Sequence, residues 1–502
     1  MDGWVEGEVA AATDQMGAHG GRLGPPAAPA AAPVHRLEEE TVTQTRTETS
    51  PRQVVVVGAS FAGLLAAAAA ARAGRRVTVL ERDELTDEPG PRRGVAQGRQ
   101  PHVLLHRGLL EAATLLPGLA EDLRAAGAVP VDTGALPWYG PHGWQPTSVP
   151  SYEVLSLTRP RLEHVVRGRV LALPGVALRA GSRVRGLERD GHGWQVRTED
   201  GSALAADLVV DASGRGSRMP AWLAALGYEV EEPETVDAEL GYASRLYRSR
   251  DGRPLPTGVV VQATPDSPRG GLALPVEDGG CMVLANGYGA DRPGRDVDLV
   301  AYLGAVREPA LGELVAGLEP AGELALHRQT GNRRHRYGRR EDWPPGLLVV
   351  GDALCAFNPL YGQGIAVAAI QARTLGDALR GRRAWDTRRV QRQFQAAADL
   401  PWTVATGEDR RYLDAAGPTP LPGRLVDAWT TEVGHLLMAG DRRAVRAFSR
   451  LYHLMGSPRE LLHPALFVAA ARRRRQPAAP PPPRPPELRA LLAAVRADHP
   501  AT

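Results

Sequence analysis

Short hydrophobic runs alternate with longer alanine- and leucine-rich runs from about residue 53 of the chain. A valine run at 53–57 is followed by a glycine-containing turn, an alanine-rich run at 64–73 and a second valine-rich run at 75–80. Runs of this length and composition predict a buried strand, a helix and a second buried strand. Together they form one βαβ unit, which is typical of a parallel sheet.

The turn after the first strand carries a G-x-S-x-x-G motif, formed by Gly58, Ser60 and Gly63. Glycines let the backbone approach a pyrophosphate, and the helix start offers free N–H groups and a partial positive charge. Ser60 stands where a glycine is usual, but serine is small and can donate a hydrogen bond. Glu81 ends the second strand near the spacing expected for an acid that binds ribose hydroxyls. The unit therefore predicts a dinucleotide site.

Two later buried strands also end in an acid followed by glycines. One leads to Asp211, and the other, at 347–350, leads to Gly351 and Asp352. A glycine pair at 362–364 then opens an alanine-rich helix. An acid can accept from sugar-like hydroxyls, and glycines at a helix start suit a large polar ligand. An ordinary strand-loop-helix crossover would show the same pattern, so this segment alone leaves both interpretations open.

The segment between these strands differs in character. Residues 219–330 contain short strands separated by turns, which predict an antiparallel sheet that could form a substrate wall. Its strands are expected at 243–247, 258–263, 271–275 and 281–285. Helices are expected at 104–123, at 297–316 and over much of 387–475. An arginine-rich loop at 91–102 and an aromatic loop at 134–150 complete the prediction.

The amino-acid composition of the chain argues against several classes of function. Of 502 residues, 43% are hydrophobic and the net charge is +3, which gives no sign of a nucleic-acid surface. The chain contains no lysine, so no mechanism can use a lysine amine. Cys281 and Cys355 form no metal-ligand or CxxC pattern, and we expect no metal ion. No run is long enough for a membrane span and no signal peptide is evident, so we expect a cytoplasmic protein.

Three segments in one order carry a resemblance to a known family: GASFAG with VTVLERD, ADLVVDASGRGSR, and LLVVGDALCAFNPLYGQG. They resemble the para-hydroxybenzoate-hydroxylase-like flavoprotein monooxygenases. The resemblance implies that the first segment binds the ADP part of FAD and that the middle one serves FAD and transient NADPH contact. It also implies that the last segment binds the ribityl chain, which places the flavin ring near residues 359–364.

The segments PRRGVAQGRQPH, VDAELGYASRLY and FNPLYGQG look like those of a narrower group. This group is the flavin epoxidases of actinobacterial polyether-antibiotic pathways, the monensin and lasalocid type, which epoxidise alkenes of lipophilic polyketides. One loop departs from the group. It usually reads close to QxRHAH, whereas Gln100 and Pro101 replace the first histidine and the alanine here, and His102 remains. The likeness therefore supports oxygenation more firmly than epoxidation.

The resemblance implies an α/β fold, α+β overall, with a Rossmann-like FAD-binding domain, an inserted antiparallel-sheet substrate domain and C-terminal helices. The expected regions are a disordered extension at 1–50, the FAD-binding domain at 51–218 and 331–400, the substrate-binding sheet domain at 219–330, a helical region at 401–475 and a Pro-rich tail at 476–502. The residues expected to bind the cofactor are Gly58, Ser60, Gly63, Glu81, Arg82, Arg93, Arg159, Val184, Asp211, Gly351, Asp352, Pro359, Gly362, Gln363 and Gly364. No catalytic side chain is evident beyond three weak candidates, His102, Tyr242 and Tyr247.

The implied function is oxygen transfer. Reduced FAD reacts with O2 to give a C4a-hydroperoxide, whose distal oxygen epoxidises an alkene or hydroxylates a lipophilic polyketide. NAD(P)H, bound transiently, or a partner flavin reductase would supply the electrons. A reductase or dehydrogenase acting on a prenyl or polyketide double bond would share the motifs, as would an idle flavin-binding accessory protein. A flavin halogenase is disfavoured, because it needs a lysine and a WxWxIP segment and the chain has neither.

Overall fold

A computed structural model describes residues 48–147, 149–413, 421–475 and 482–497. The strands are β1 Gln53–Val57, β2 Arg76–Leu80, β3 Pro101–Leu104, β4 Val129–Asp132, β5 Trp138–Gly140, β6 Gly143–Trp144, β7 Glu153–Thr158, β8 Val176–Arg179, β9 Val184–Asp190, β10 Gly193–Thr198, β11 Ala203–Ala206, β12 Leu208–Asp211, β13 Glu234–Val236, β14 Leu240–Arg248, β15 Val259–Val261, β16 Arg269–Pro275, β17 Gly280–Tyr288, β18 Glu319–Pro320, β19 Ala325–His327, β20 Asn332–Arg334, β21 Leu347–Val349 and β22 Cys355–Ala356. The helices are α1 Phe61–Arg72, α2 His106–Leu115, α3 Leu119–Ala125, α4 Arg159–Leu171, α5 Met219–Ala225, α6 Leu299–Gly304, α7 Ala310–Ala316, α8 Gln363–Arg380, α9 Thr387–Arg410, α10 Leu421–Met438, α11 Arg442–Tyr452, α12 Pro464–Arg473 and α13 Pro486–Ala497.

The first sheet is parallel and has the strand order β21-β12-β1-β2-β8. Its central strands are buried valine and leucine runs, as the sequence predicted. Val57, Asp211 and Val349 lie side by side in register at the ends of three neighbouring strands. The three glycine-containing turns that follow therefore leave the same edge of the sheet. The mixed α/β fold class is confirmed.

Helices α1 and α8 pack against each other beside this sheet. Alanines from residue 66 to residue 70 of α1 are fully buried, and small side chains let the helices approach closely. The start of α8 is thereby held near the turn that leads into α1, so two segments about 300 residues apart in the sequence face each other.

The second large sheet is mostly antiparallel, in the order β18-β14-β17-β16-β15-β5-β6, with β19 also paired to β14. Its four predicted strands are confirmed, and most are longer than expected because both faces are covered. The prediction of a loop at 134–150 is wrong in part. Trp138 begins β5, which pairs parallel to β15, so the aromatic segment extends the sheet.

One further prediction is corrected. The single helix expected at 104–123 is two helices, α2 and α3, separated at Gly118, whose φ of 86° breaks the helical path. The described part of the Pro-rich tail contains one short helix, α13. Helix α13 buries Leu488 and Leu491 in the core on the outer face of the antiparallel sheet.

The predicted N-terminal extension lies outside the described residues, apart from residues 48–50. Glu48, one of these residues, forms an isolated antiparallel β-bridge with Trp385. Among the described residues, no helix combines the length and the apolar character that crossing a bilayer requires.

Candidate functional site

A cavity of about 680 Å³ lies between the parallel sheet and the antiparallel sheet. The turns after β1, β12 and β21 line one part of it, and apolar side chains of the antiparallel sheet line another. In doubly wound sheets, ligands bind beyond the strand ends where the chain order reverses, which here is the edge between β1 and β12. The volume lies within the range of small-molecule sites. The cavity can thus bring a dinucleotide and an apolar ligand together.

Ser60, which replaces the middle glycine of the motif, belongs to a buried charge cluster. Its hydroxyl donates to Glu163 and accepts from Arg159 Nη2 at 2.8 Å. Arg159 Nε donates to Glu163 Oε1, also at 2.8 Å. Burial opposes the charge of Glu163, but Arg159 and Arg92 lower its pKa to about 2, so the carboxylate stays ionised. Ser60 therefore anchors the turn to α4, which a glycine could not do.

Arg92 holds the acids of this region together. Its Nη1 lies 2.9 Å from Glu81 Oε2, and its Nη2 lies 3.0 Å from Glu163 Oε2. Burial opposes its charge, but Glu163 and Glu81 raise the pKa of Arg92. Glu81 is 4% exposed and also accepts from Ala59 N at 2.8 Å. The carboxylate at the expected ribose position is therefore already held by the turn and by Arg92.

Asp352 faces the cavity, and no donor from the described residues bonds its carboxylate. Burial raises its pKa, and Arg215 offsets part of that effect. Gly351 before it has a φ of 59°, which favours glycine. A Cβ at Gly364, in the first turn of α8, would lie 3.6 Å from Asp352 Oδ1. An acid without a donor, next to a helix N-terminus, fits a ligand that carries hydroxyl groups.

The middle acid has a different environment. Asp211 is fully buried and accepts from Ser213 N at 2.9 Å and from the hydroxyl of Ser217. Asp211 stabilises the turn without lining the cavity, whereas Gly214 and Arg215 of the turn do line it. Arg215 in turn donates to the carbonyl of Phe357 at 3.1 Å. The turn after β12 is therefore tied to the segment that precedes α8.

That segment is held by a buried network centred on Asp409, from α9. Asp409 accepts from Asn358 Nδ2 at 2.9 Å, from Asn332 Nδ2 at 2.6 Å and from the hydroxyl of Tyr361 at 3.0 Å. Asn358 Oδ1 accepts from the hydroxyl of Tyr242 at 3.0 Å. The network connects α9, the antiparallel sheet and the residues before α8, so it positions the cavity wall at 357–362.

Asp409 is expected to give a measurable pH dependence. Burial raises its pKa to about 6, although Tyr361, Asn358 and Asn332 act in the opposite direction. Between the unfolded value of about 4 and this value, the folded state binds more protons, so the contribution of Asp409 to stability falls as pH rises. Urea unfolding of wild type and Asp409→Asn at pH 4 and pH 7 should show wild type losing about 2–3 kcal/mol relative to the variant. An identical pH dependence of the two proteins would refute this.

Alternation along β14 separates the two predicted tyrosines. Tyr242 lines the cavity, whereas Tyr247, an odd number of positions later, packs in the core beneath the helices on the opposite face. Trp138 and Tyr452 of α11 close the apolar part with an edge-to-face contact, their ring centroids 5.5 Å apart. The C-terminal helices therefore contribute to the cavity, which the sequence did not indicate.

His102 also lines the cavity. Its Nδ1 lies 2.9 Å from the carbonyl of Gln100, so this nitrogen carries the proton that it donates. Burial and the nearby charge of Arg159 lower the pKa of His102 to about 3. The imidazole is therefore neutral near pH 7.

Most of the residues expected from the sequence border the cavity. Those that line it are Gly58, Ser60, Glu81, Arg82, Arg93, Arg159, Val184, Gly351, Asp352, Pro359, Gly362, Gly364, His102 and Tyr242. Those that do not are Gly63, Asp211, Gln363 and Tyr247. Sequence reasoning missed Arg92, Glu163, Arg215, Asn358 and Asp409. The arginine-rich loop was the only signal for Arg92, and nothing in the pattern distinguished Asp409.

Comparison with known proteins agrees with this geometry. The model of the family described as FAD dependent oxidoreductase matches residues 53–236. Protein Rv3254 of Mycobacterium tuberculosis is 36% identical over 345 residues, which cover 65% of this chain and 73% of that protein. The chain belongs to the FAD-dependent oxidoreductase family. FAD is accordingly the cofactor of this oxidoreductase.

Two other curated relatives of this oxidoreductase differ in their reactions. Kynurenine 3-monooxygenase of Salinispora arenicola is 28% identical, covering 62% of this chain and 69% of that protein. Menaquinone reductase of Mycolicibacterium smegmatis is 27% identical, and the match covers 73% of this chain and 87% of that protein. Klebsiella pneumoniae HpxO, solved with FAD and uric acid, shares the fold at 19% identity and a TM-score of 0.55, covering 82% of this chain and 97% of that chain.

The residues of the cavity fit FAD. The carboxylate of Asp352 has no hydrogen-bond donor among the described residues, and a ribityl chain carries hydroxyl groups that could donate to it. At Gly58, where φ is 102°, a Cβ would lie 2.6 Å from the carbonyl oxygen of Ala212, so only glycine allows this tight turn. Arg93 and Arg159 also line the cavity. Arg93 forms no ion pair with the described residues, so its positive charge is available to a diphosphate.

Proposed function

We propose that this oxidoreductase is a monooxygenase that transfers one oxygen atom from O2 to a lipophilic small molecule, by epoxidation of an alkene or hydroxylation of a polyketide. The observation that carries the proposal is the continuity of the cavity. The Asp352 end, which fits FAD, opens directly onto a wall of apolar side chains that includes Leu136, Trp138 and Leu272. A substrate lying on that wall would be next to the cofactor and shielded from water.

Within this proposal, FAD when bound supplies the redox chemistry and the activation of O2, with NAD(P)H or a partner flavin reductase as the source of electrons. The chain supplies binding and orientation. Asp352 would accept from ribityl hydroxyls, and the N–H groups of the first turn of α8 would be available to acceptors of the flavin ring. The positive end of the α8 dipole would favour negative charge there. Arg159 and the turn at Ser60 would hold the diphosphate.

The side chains near the apolar wall favour a reaction that needs no protein base. Burial and the nearby Arg159 lower the pKa of His102 to about 3, so its neutral ring, which donates through Nδ1 to the carbonyl of Gln100, is a weak base. Burial raises the pKa of Tyr242 well above its ordinary value, so its hydroxyl stays protonated and donates to Asn358. Epoxidation requires no base, whereas hydroxylation of a phenol gains from one. The arrangement therefore favours an alkene substrate.

The test is isotope incorporation. FAD-loaded protein is incubated with NADPH, or with a flavin reductase, under 18O2 and with candidate polyenes and aromatic polyketides. One 18O atom in the product, detected by mass spectrometry, supports the proposal. A product with a reduced double bond and no 18O label would instead establish the reductase alternative. The similarity to menaquinone reductase is the reason to test for that alternative. NADPH oxidation that responds to no substrate would contradict both enzymes and favour an accessory flavoprotein.

Substituting Asp352 should weaken FAD binding selectively. Asp352→Ala removes a charged acceptor, and a hydrogen bond to a charged group contributes enough that the Kd for FAD should rise about 10- to 100-fold. Asp352→Asn keeps one acceptor and should have a smaller effect. Reconstitution of apoprotein, followed by flavin fluorescence, measures the Kd without turnover. An unchanged Kd in Asp352→Ala would contradict the role of this acid.

A further inference from the structure

One row of side chains crosses the antiparallel sheet on its cavity face. Asn286 of β17 pairs directly with Tyr242 of β14, and Tyr242 pairs with His327 of β19. Residues paired in this way project to the same face, with neighbouring strands about 5 Å apart. Gly270 of β16 is paired to Asn286 on the other side, and a Cβ there would lie 2.6 Å from the carbonyl oxygen of Val261. All three polar side chains line the cavity.

Two members of the row are buried with polar atoms that have no partner. Asn286 is 2% exposed and His327 is 6% exposed. Asn286 Nδ2 and His327 Nε2 lack a hydrogen-bond partner among the described residues. Leaving a buried polar group unsatisfied costs about 1–3 kcal/mol, so such groups usually have a ligand or water to bind. These two atoms are therefore able to bind a polar group of a ligand.

The surroundings define what that group is. The residues beside Asn286 on this face include Leu284 and Leu272, which are apolar and also line the cavity. Burial and the nearby Arg215 lower the pKa of His327, so its ring is neutral. No charged side chain lies in the row itself, and Arg215 already donates to the carbonyls of Gly331 and Phe357. A buried carboxylate in the row would therefore be poorly compensated. A neutral oxygen function therefore fits better than a carboxylate.

The row also has a fixed place relative to the cofactor end. Tyr242, at its centre, donates to Asn358 Oδ1, which caps the 359–361 turn directly before α8. A ligand group bound along the row would therefore lie beside residues 359–364, where the flavin ring is expected.

We propose that Asn286 and His327 bind hydroxyl or carbonyl oxygens of an otherwise apolar substrate, each residue contacting its own oxygen, and that these contacts place the reacting carbon next to the cofactor. The inference rests on the proposed function, because it defines the substrate class of the same cavity. An amide offers both a donor and an acceptor, and a neutral imidazole offers a second polar contact. The substrate is thus an oxygenated lipophilic molecule and not a plain hydrocarbon.

The test measures binding to the oxidised, FAD-loaded protein, with no turnover. Two probes of similar shape are titrated by isothermal calorimetry and by the shift of flavin absorbance: 1-naphthol, and 1-methylnaphthalene, in which a methyl group replaces the hydroxyl. The variants are Asn286→Leu and His327→Leu, with the milder Asn286→Ser and His327→Gln in case a leucine variant fails to retain FAD. Gln195→Leu, which makes the same amide-to-alkyl change on β10 outside the cavity, is the matched control.

We expect the ratio of 1-naphthol affinity to 1-methylnaphthalene affinity to fall about tenfold in the variants of at least one of the two residues, Asn286 and His327, and to stay at the wild-type value in the control. The proposal is overturned if the ratio is the same in all proteins, or if wild type shows no saturable binding of 1-naphthol. Either result is independent of oxygen transfer. Failure of this proposal is therefore distinguishable from failure of the monooxygenase assignment, which only the 18O2 experiment decides.

Discussion

Arg92→Met is expected to destabilise the folded protein by about 3–5 kcal/mol, because it removes the one cation that bridges Glu81 and Glu163 within the described residues. Methionine preserves much of the apolar stem, so packing changes little and the lost charge dominates. Two carboxylates would remain in a poorly hydrated site, and Glu163 would keep only Arg159 as its cation. Urea unfolding at pH 7 measures the change.

The same substitution should release FAD, because Arg92 also donates to the carbonyl of Ala59 in the first turn at 3.0 Å. The matched control is Arg197→Met, which breaks the exposed pair between Arg197 and Glu188 at 2.8 Å. Exposed pairs contribute little, so the control should unfold and bind FAD as wild type does. If the two variants proved equally stable, the Arg92 cluster would not be a major source of stability.

Gly63→Ala is expected to displace α1 from the first turn and to leave the purified protein without most of its FAD. A Cβ at residue 63 would lie 1.9 Å from the carbonyl oxygen of Gly58, a distance that no real contact reaches. The clash is with backbone, so the helix or the turn must shift, at a cost of about 1–3 kcal/mol. Flavin absorbance per protein and the unfolding midpoint report the two effects.

Gly168→Ala provides the control for helical glycines. Gly168 lies inside α4, and a Cβ there would meet nothing within 4 Å. Alanine at an open helical position stabilises by up to about 1 kcal/mol. The opposite signs of the two substitutions would show that Gly63 is required for close packing, although it does not line the cavity. FAD retention by Gly63→Ala at the wild-type level would disprove this explanation.

Local signals in the chain predicted much of the fold, whereas contacts between distant segments did not follow from them. The strand and helix of the first βαβ unit, the parallel sheet and the four strands of the antiparallel sheet were predictable because hydrophobic period and turn residues are local signals. The glycine and acid positions followed from motif spacing. The boundary of β5 was missed, since an aromatic segment rich in proline and glycine carries no clear period. The break at Gly118 was predictable, because a proline-glycine pair such as 117–118 commonly marks a turn.

The alternation of side chains could have distinguished Tyr242 from Tyr247, because they lie an odd number of positions apart on one strand. No such rule identifies Asp409. Its partners Asn332, Asn358 and Tyr361 come from other elements, and only the packing of α9 against them brings the carboxylate into contact.

The sequence by itself determined the fold class, the dinucleotide turn and the second strand-acid-glycine segment, because each depends on residues close together in the chain. The tertiary structure decided which of the three acids has a carboxylate without a hydrogen-bond donor among the described residues. Asp352 faces the cavity, Asp211 is used by its own turn, and Glu81 is held by Arg92. The polar row of the antiparallel sheet was also decided by the tertiary structure, since strand register places side chains from β17, β14 and β19 together only when the sheet has formed.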